Sequence, residues 1–369
     1  MNTDRLNTLL SAFPSRTILV VGDFFLDKYL IIEHALAETS LETGLEAHQV
    51  VEVRCSPGAA GTVTANLRAM AVNVIALGVI GDDGEGFELI RKLRETGVDV
   101  DALIVRPERF TPTYTKPMLR EPDGTQHELN RLDIKNRTPL PAEAEDDLIR
   151  RLRKLLPRVH GVIVADQAPE EDCGTITERV REEICALARA YPTVVFTADS
   201  RERIGLYHDV ILKPNAREAT RAIHPDHEEP IQECSGRSST ARLSSPKSEP
   251  ARARAEACAA ALYQRTGQPV FLTLGADGIL AFHESGPTHV PAVPVTGSID
   301  IVGAGDATMA GITAALCADA TIPEAAQIGC LAAAVTIQQL GTTGTASRVQ
   351  ISMCHTQSCA ESQQCPPSH

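Results

Sequence analysis

The stretch Ile299-Asp-Ile-Val-Gly-Ala-Gly-Asp-Ala-Thr-Met-Ala-Gly-Ile-Thr-Ala-Ala-Leu316 decides how this chain is read. Gly303 and Gly305 flank Ala304, an acid follows at Asp306, and a run of small residues then reads as a buried helix. Without bulky side chains, backbone N–H groups can converge on one point, and a helix N-terminus behind them adds partial positive charge. That arrangement suits an oxyanion or a phosphate. Asp306 falls in the first helical turn, where the dipole favours its ionised form. A cradle beside a carboxylate can move a phosphoryl group onto a hydroxyl, the cradle holding the phosphate and the acid taking the proton. Taken alone, the same four residues also fit a tight turn with an N-terminal acid, because short glycine motifs recur by chance.

The rest of the composition sets bounds. The 369 residues can bury a large core, as one big α/β domain or two smaller ones. A hydrophobic content of 43% with 22% charged residues is ordinary for a soluble globular protein. A formal net charge of −13 excludes a general nucleic-acid or anionic-membrane binder, which needs a basic surface. No apolar run approaches the ~18–20 residues needed to span a bilayer. The first residues lack the basic-then-apolar pattern of a signal peptide, so the expected location is cytoplasmic. The ten cysteines are scattered, and Cys258, Cys317 and Cys330 read as small buried apolar residues in a reduced protein. Near the end of the chain, Cys354, His355, Cys359 and Cys365 match no strong zinc template.

Around the opening motif the chain alternates. Residues 17–22 read as a buried parallel strand, with Asp23 and Asp27 directly beyond it, where open α/β sheets meet their ligands. A carboxylate there can accept from a pair of sugar hydroxyls, or can be a loop acid or a cap. Short extended stretches over 28–56 and 108–133 suggest a small β-layer lying over a site as a lid. Between them, Ser56-Pro-Gly-Ala-Ala-Gly-Thr62 opens an Ala-rich helix; its amides and Thr62 can bind a sugar oxygen or simply pack the helix closely. Residues 73–81 read as one strand and 85–96 as an amphipathic helix. From 141 the order is helix 143–156, strand 161–165, helix 175–190, strand 193–198, strand 209–213 and helix 216–222. This alternation implies a parallel sheet covered on both faces. Asp166, Asp199, Asn215 and Glu218 sit at its strand ends. Asn215 and Glu218, three apart at a helix start, can hold hydrated magnesium near nucleotide phosphates or form a capping box. Residues 224–254 have little to bury and read as a disordered insertion. A helix at 255–265, strands at 270–274 and 279–283, and helices at 306–318 and 323–339 follow, with 348–369 expected as a frayed, disordered tail.

Together these motifs resemble the ribokinase family of carbohydrate kinases (the PfkB superfamily), over roughly residues 15–347, and residues 1–347 are expected to form the kinase domain. Asp300 with Val302-Gly-Ala-Gly-Asp306 is similar to the family's C-terminal signature. Pro57-Gly-Ala-Ala-Gly-Thr62 is similar to its glycine motif, Asn215-Ala-Arg-Glu218 to its Asn-x-x-Glu motif, and Thr273-Leu-Gly-Ala-Asp-Gly278 to its nucleotide strand and turn. The resemblance implies an α/β three-layer sandwich with a central, mostly parallel sheet and a small β-sheet lid. It implies a kinase using ATP and Mg²⁺, with a monovalent cation such as K⁺ as a further cofactor, and a homodimer formed through the lid. Asp306 with Gly303, Ala304 and Gly305 would be catalytic. Asp23, Asp27, Gly58, Ala59, Thr62, Lys116 and Arg131 would bind substrate. Asn215, Glu218, Thr273, Gly275, Gly278 and Cys330 would serve the nucleotide, with Glu218 toward the metal.

Within the family, Val21-Gly-Asp-Phe-Phe-Leu-Asp-Lys-Tyr29, Ser40 with Glu42, Thr113-Tyr-Thr-Lys116 and Arg131-Leu-Asp133 are similar to the kinase domain that phosphorylates the anomeric hydroxyl of D-glycero-D-manno-heptose 7-phosphate. Lys116, Arg120 and Arg131 would meet the sugar's phosphate. Ala59, Thr62, Val302, Cys330 and the segment Asp166-Gln-Ala-Pro169 depart from family usage. They put specificity in question, and leave open a kinase for another sugar or nucleoside, or an idle sugar- or nucleotide-binding regulator. With no nucleotidyltransferase domain after residue 347, the second activity of bifunctional relatives is not expected.

Overall fold

A computed structural model of the chain describes residues 1–225, 249–341 and 343–364. Most of the expected insertion, residues 226–248, therefore lies outside the described residues; its far end, from Glu249, begins the helix Glu249–Thr266.

The centre is an eight-stranded sheet ordered Thr288–Val290, Ile279–Phe282, Val270–Thr273, Ile211–Leu212, Val195–Ser200, Gly161–Asp166, Thr17–Gly22 and Asn73–Leu77. Neighbours from Asn73–Leu77 through Val270–Thr273 run parallel, and the last two strands are antiparallel. The cause is visible in single strands. Ile18 and Val20 point into one apolar cluster and Leu19 and Val21 into the other; Ile163 and Val164 divide the same way. A strand apolar on both faces must be covered twice. Ala60–Ala69, Gly84–Glu95, Ala304–Cys317 and Ile322–Thr336 contribute to one cover, and Ala142–Leu155, Glu178–Ala190, Ala216–Ile223 and Glu249–Thr266 to the other. The result is the expected α/β three-layer sandwich. The two alanine-rich helices Ala304–Cys317 and Ile322–Thr336 cross closely: a Cβ on Gly311 would lie 3.2 Å from the Gly329 backbone.

A second sheet, ordered Gln126–Glu128, Thr113–Arg120, Phe24–Glu33 and Val50–Ala59, has Leu132–Ile134 paired to Thr113–Arg120. It rises from the carboxyl end of Thr17–Gly22: one residue separates that strand from Phe24–Glu33, and the Ala60 amide returns a hydrogen bond to the Asp23 carbonyl. Two smaller two-stranded sheets complete the strand set among the described residues.

Three expectations need correction. The single strand over 73–81 is two, Asn73–Leu77 and Val79–Gly81. They break at Gly78, where a Cβ would sit 2.6 Å from the Gly22 carbonyl oxygen. The strand expected at 209–213 is reduced to Ile211–Leu212. Residues 348–364, expected as a frayed tail, are helical, and Ile351 and His355 are buried against the rest of the chain. His355 Nε2 lies 3.2 Å from the Met1 carbonyl oxygen, and Arg348 donates to the Leu10 carbonyl. The polar composition that suggested disorder hid the apolar contacts of Ile351 and Cys354 with the core. Among the described residues, no helix is long and apolar enough to cross a membrane.

Candidate active site

The Gly303–Asp306 turn opens the helix Ala304–Cys317, with Gly303 as its left-handed N-cap at φ 81°. A Cβ there would be both strained and 2.9 Å from Thr343 Cγ2. The same Cβ would lie 3.4 Å from Thr62 Cγ2, so the two small-residue motifs, with Thr62 and Gly303 241 positions apart in sequence, meet here. The amides of Gly305 and Asp306 have no acceptor among the described residues, as the first turn of a helix requires. They are free for an anion.

Asp306 is partly accessible, yet its surroundings are dry. Loss of water, then the charge of Asp199, pushes its carboxyl up to about 7, against the pull of Lys213 and Arg201; Asp27 pushes weakly the same way. Lys213 is 4% exposed, and its Nζ lies 3.0 Å from Asp199 Oδ2 and 3.8 Å from where a Gly305 Cβ would stand. A buried ammonium thus sits beside the cradle. Burial lowers its pKa, but Asp199, Glu218 and Asp306 outweigh that and hold it protonated. Lys213 escaped sequence reasoning because a lone lysine at a strand end has no periodicity; the signal was its place directly before Pro214-Asn215.

Asn215 and Glu218 form the capping box. Glu218 N donates to Asn215 Oδ1 at 3.0 Å, and Asn215 N donates to Glu218 Oε2 at 2.8 Å. Glu218 is buried, and that burial, with the charge of Asp199, pushes it up to about 7. Among the described residues no three His, Cys, Asp or Glu side chains gather as metal ligands. A magnesium ion here would need phosphate and water oxygens for most of its ligands, with Glu218 as the one carboxylate expected beside it.

On the second sheet, Asp27 is half-buried and pairs with Lys116 Nζ at 2.9 Å; its Oδ2 would be 2.5 Å from a Cβ on Gly58, so glycine is what admits it. Ala59 caps the next helix at φ 52°, ψ −116°, a conformation glycine adopts without strain. Arg131 lies on the same sheet, bidentate to Asp133 and 4.7 Å over the Tyr114 ring. Asp23, expected to bind substrate, is 4% exposed, with its carboxylate turned to backbone amides. Its Oδ2 accepts from the amides of Gln167 and Ala168, both at 2.8 Å, and its Oδ1 from Thr175 at 2.6 Å. It fastens the 167–175 loop, and burial beside Asp166 raises its pKa. Cys330 is likewise core: 6% exposed, its thiol is pushed up to about 12 by burial. Thr273 bridges to Asn215, which ties the Gly275–Gly278 turn to the capping box. Gly278, at φ 90°, has no room for a Cβ beside the Val290 carbonyl.

The pfkB family carbohydrate kinase description matches residues 26–348. The chain belongs to that family. It is a sugar kinase, a phosphotransferase with an alcohol acceptor. The kinase is 28% identical over 342 residues to the bifunctional protein HldE of Caulobacter vibrioides, and equally to that of a Bradyrhizobium strain (ORS 278). Each alignment covers 92% of this chain and 63% of the relative, so the kinase spans under two thirds of their length. Its fold is similar to Escherichia coli phosphofructokinase-2 in complex with potassium (TM-score 0.64, 17% identity, 93% of this chain and 99% of that one). It is also similar to Arabidopsis thaliana ribokinase complexed with ribose and ATP (TM-score 0.61, 17% identity, 92% and 98%).

Proposed function

We propose that this kinase transfers the γ-phosphate of ATP to the anomeric hydroxyl of a sugar phosphate of the D-glycero-D-manno-heptose 7-phosphate type. The observation that carries the reading is Asp306. It is a carboxyl with a pKa raised to about 7, one residue from Gly305, beside two free amides and the Lys213 ammonium. The likeness to HldE proteins and to the heptose-kinase opening motif supports the acceptor.

The γ-phosphate faces the Gly303–Gly305 turn, where the free amides of Gly305 and Asp306 take equatorial oxygens as charge redistributes. Lys213 neutralises the same group. Asp27 orients the acceptor hydroxyls from above, and Asp306 Oδ receives the proton of the attacking hydroxyl. The transition state is loose, so that proton moves late and a carboxylate is base enough. Glu218, through water, would help hold Mg²⁺, which supplies charge neutralisation to the β- and γ-phosphates. The base lies along Gly275–Gly278 and the helix end near 337–341. A homodimer through the second sheet belongs to the same reading. Its edge strand Val50–Ala59 carries Val51 and Val53 largely exposed, an apolar edge that needs cover.

The test is ADP release from Mg-ATP across sugars, sugar phosphates and nucleosides. Turnover confined to the heptose 7-phosphate is the expected result. Turnover with another acceptor retains the kinase and discards the heptose; binding without any turnover would favour a regulator.

A further inference from the structure

The second sheet presents its polar face in rows. Asp27 stands in register with Ser56 on one side and Tyr114 on the other. Two residues along, Tyr29 stands in register with Arg54 and Lys116. Side chains two apart on a strand share a face, about 7 Å from one row to the next. The Asp27 row lies nearest the catalytic turn, so the Tyr29 row lies one step farther from it.

The cations of this face differ in what they are already doing. Lys116 Nζ donates to Asp27 at 2.9 Å and to the Tyr29 hydroxyl at 3.1 Å. Arg131 is committed to Asp133 through two hydrogen bonds, at 2.7 and 2.8 Å. Arg120 bonds Glu33 at 3.3 Å. Arg54 is different: its side chain is 52% exposed, its nearest acid, Glu52, is 3.6 Å away, and it donates no hydrogen bond among the described residues. Its guanidinium lies 5.7 Å from the Tyr29 ring centre, with Lys116 Nζ 4.8 Å from the same centre. Two cations therefore share one aromatic ring, and one of them, half exposed, holds among the described residues only a long ion pair through Nε to Glu52.

We propose that Arg54, positioned on Tyr29, is the specificity-determining residue that binds the acceptor's own phosphate, with Lys116 beside it. The proposal rests on the reading of the acceptor as a sugar phosphate and names the residue that would recognise it. A guanidinium fork matches two phosphate oxygens, which a point-charge ammonium does not. The row spacing sets the chemistry selected: a phosphate about 7 Å beyond the hydroxyls held by Asp27, at the far end of the sugar from the attacking hydroxyl. A free sugar leaves the fork empty.

The experiment is calorimetric titration of the full chain with D-glycero-D-manno-heptose 7-phosphate and with the free heptose, for wild type, Arg54→Ala and Arg54→Lys, with KM for Mg-ATP measured alongside. Loss of a charge-assisted pair predicts a roughly 10- to 100-fold weaker Kd for the phosphorylated sugar in Arg54→Ala. Partial recovery in Arg54→Lys, an unchanged Kd for the free heptose and an unchanged KM for Mg-ATP complete the expected result. Equal Kd for the phosphorylated sugar in wild type and Arg54→Ala overturns the assignment. So does a parallel loss for the free heptose or for Mg-ATP. Wild type that binds the free heptose as tightly as its phosphate overturns the phosphate subsite while leaving the kinase intact; wild type that binds neither sugar overturns the heptose reading as well.

Discussion

Ala59 shows how a single residue can be held against its own preference. At φ 52° and ψ −116° an alanine is strained by about 1–3 kcal/mol, and it endures because Phe24–Glu33 on one side and the helix Ala60–Ala69 on the other fix both ends. Ala59→Gly removes the strain and adds about 0.4–1 kcal/mol of unfolded-state entropy. We expect a net gain of about 1 kcal/mol in urea unfolding; a less stable variant would contradict the strain. Asp23 carries the opposite lesson. Its place beyond a strand end was legible, but whether a carboxylate meets a ligand or three loop amides depends on how residues 167–175 fold back, which local sequence does not encode. Cys330 behaves alike: a cysteine in an alanine-rich helix can face a base or a core, and packing chose the core.

Elements set the electrostatics. The helix Ala304–Cys317 supplies free amides, the end of Ile211–Leu212 supplies Lys213, and the end of Val195–Ser200 supplies Asp199; their convergence on Asp306 follows from parallel strand order alone. Because Lys213 is the main influence holding the Asp306 pKa down, Lys213→Met moves it further up. A base must be unprotonated to act. In wild type, kcat/KM therefore rises with pH and levels off above about 7, and in Lys213→Met that rise moves to higher pH. A profile that does not move would separate the lysine from the base. The element order and the glycine turn were readable from periodicity and spacing. The position of Lys213 was not, since it becomes meaningful only when two strand ends are brought side by side.

At the scale of the molecule, both ends of the described chain close on one another. Arg5 pairs with Glu324 at 2.9 Å, and Ile351, fully buried, joins the core cluster that contains Leu6, Leu9 and Leu10. Ile351→Ala should cost about 2–5 kcal/mol of stability by thermal or urea unfolding; a loss below 0.5 kcal/mol would return residues 348–364 to the frayed tail expected from their Ser- and Gln-rich composition. The layered sandwich could be read from alternation because the central strands, such as Thr17–Gly22 and Gly161–Asp166, are apolar on both faces. The closing helix could not, because its few core contacts are diluted among polar positions. What the assembled molecule does comes down to one proton. The raised Asp306 pKa also sets a stability signature: the folded state holds that proton more tightly than the unfolded chain, so wild type loses stability as pH rises from about 4 to about 7. Asp306→Asn escapes that loss, and its advantage in Tm should grow from pH 4 to pH 8. The most direct test is ADP release with saturating Mg-ATP and heptose 7-phosphate by wild type and Asp306→Asn, with nucleotide affinity measured in parallel. The account predicts near-wild-type nucleotide binding and a loss of turnover of at least about 100-fold; an Asp306→Asn enzyme that turns over within a few-fold of wild type would contradict it.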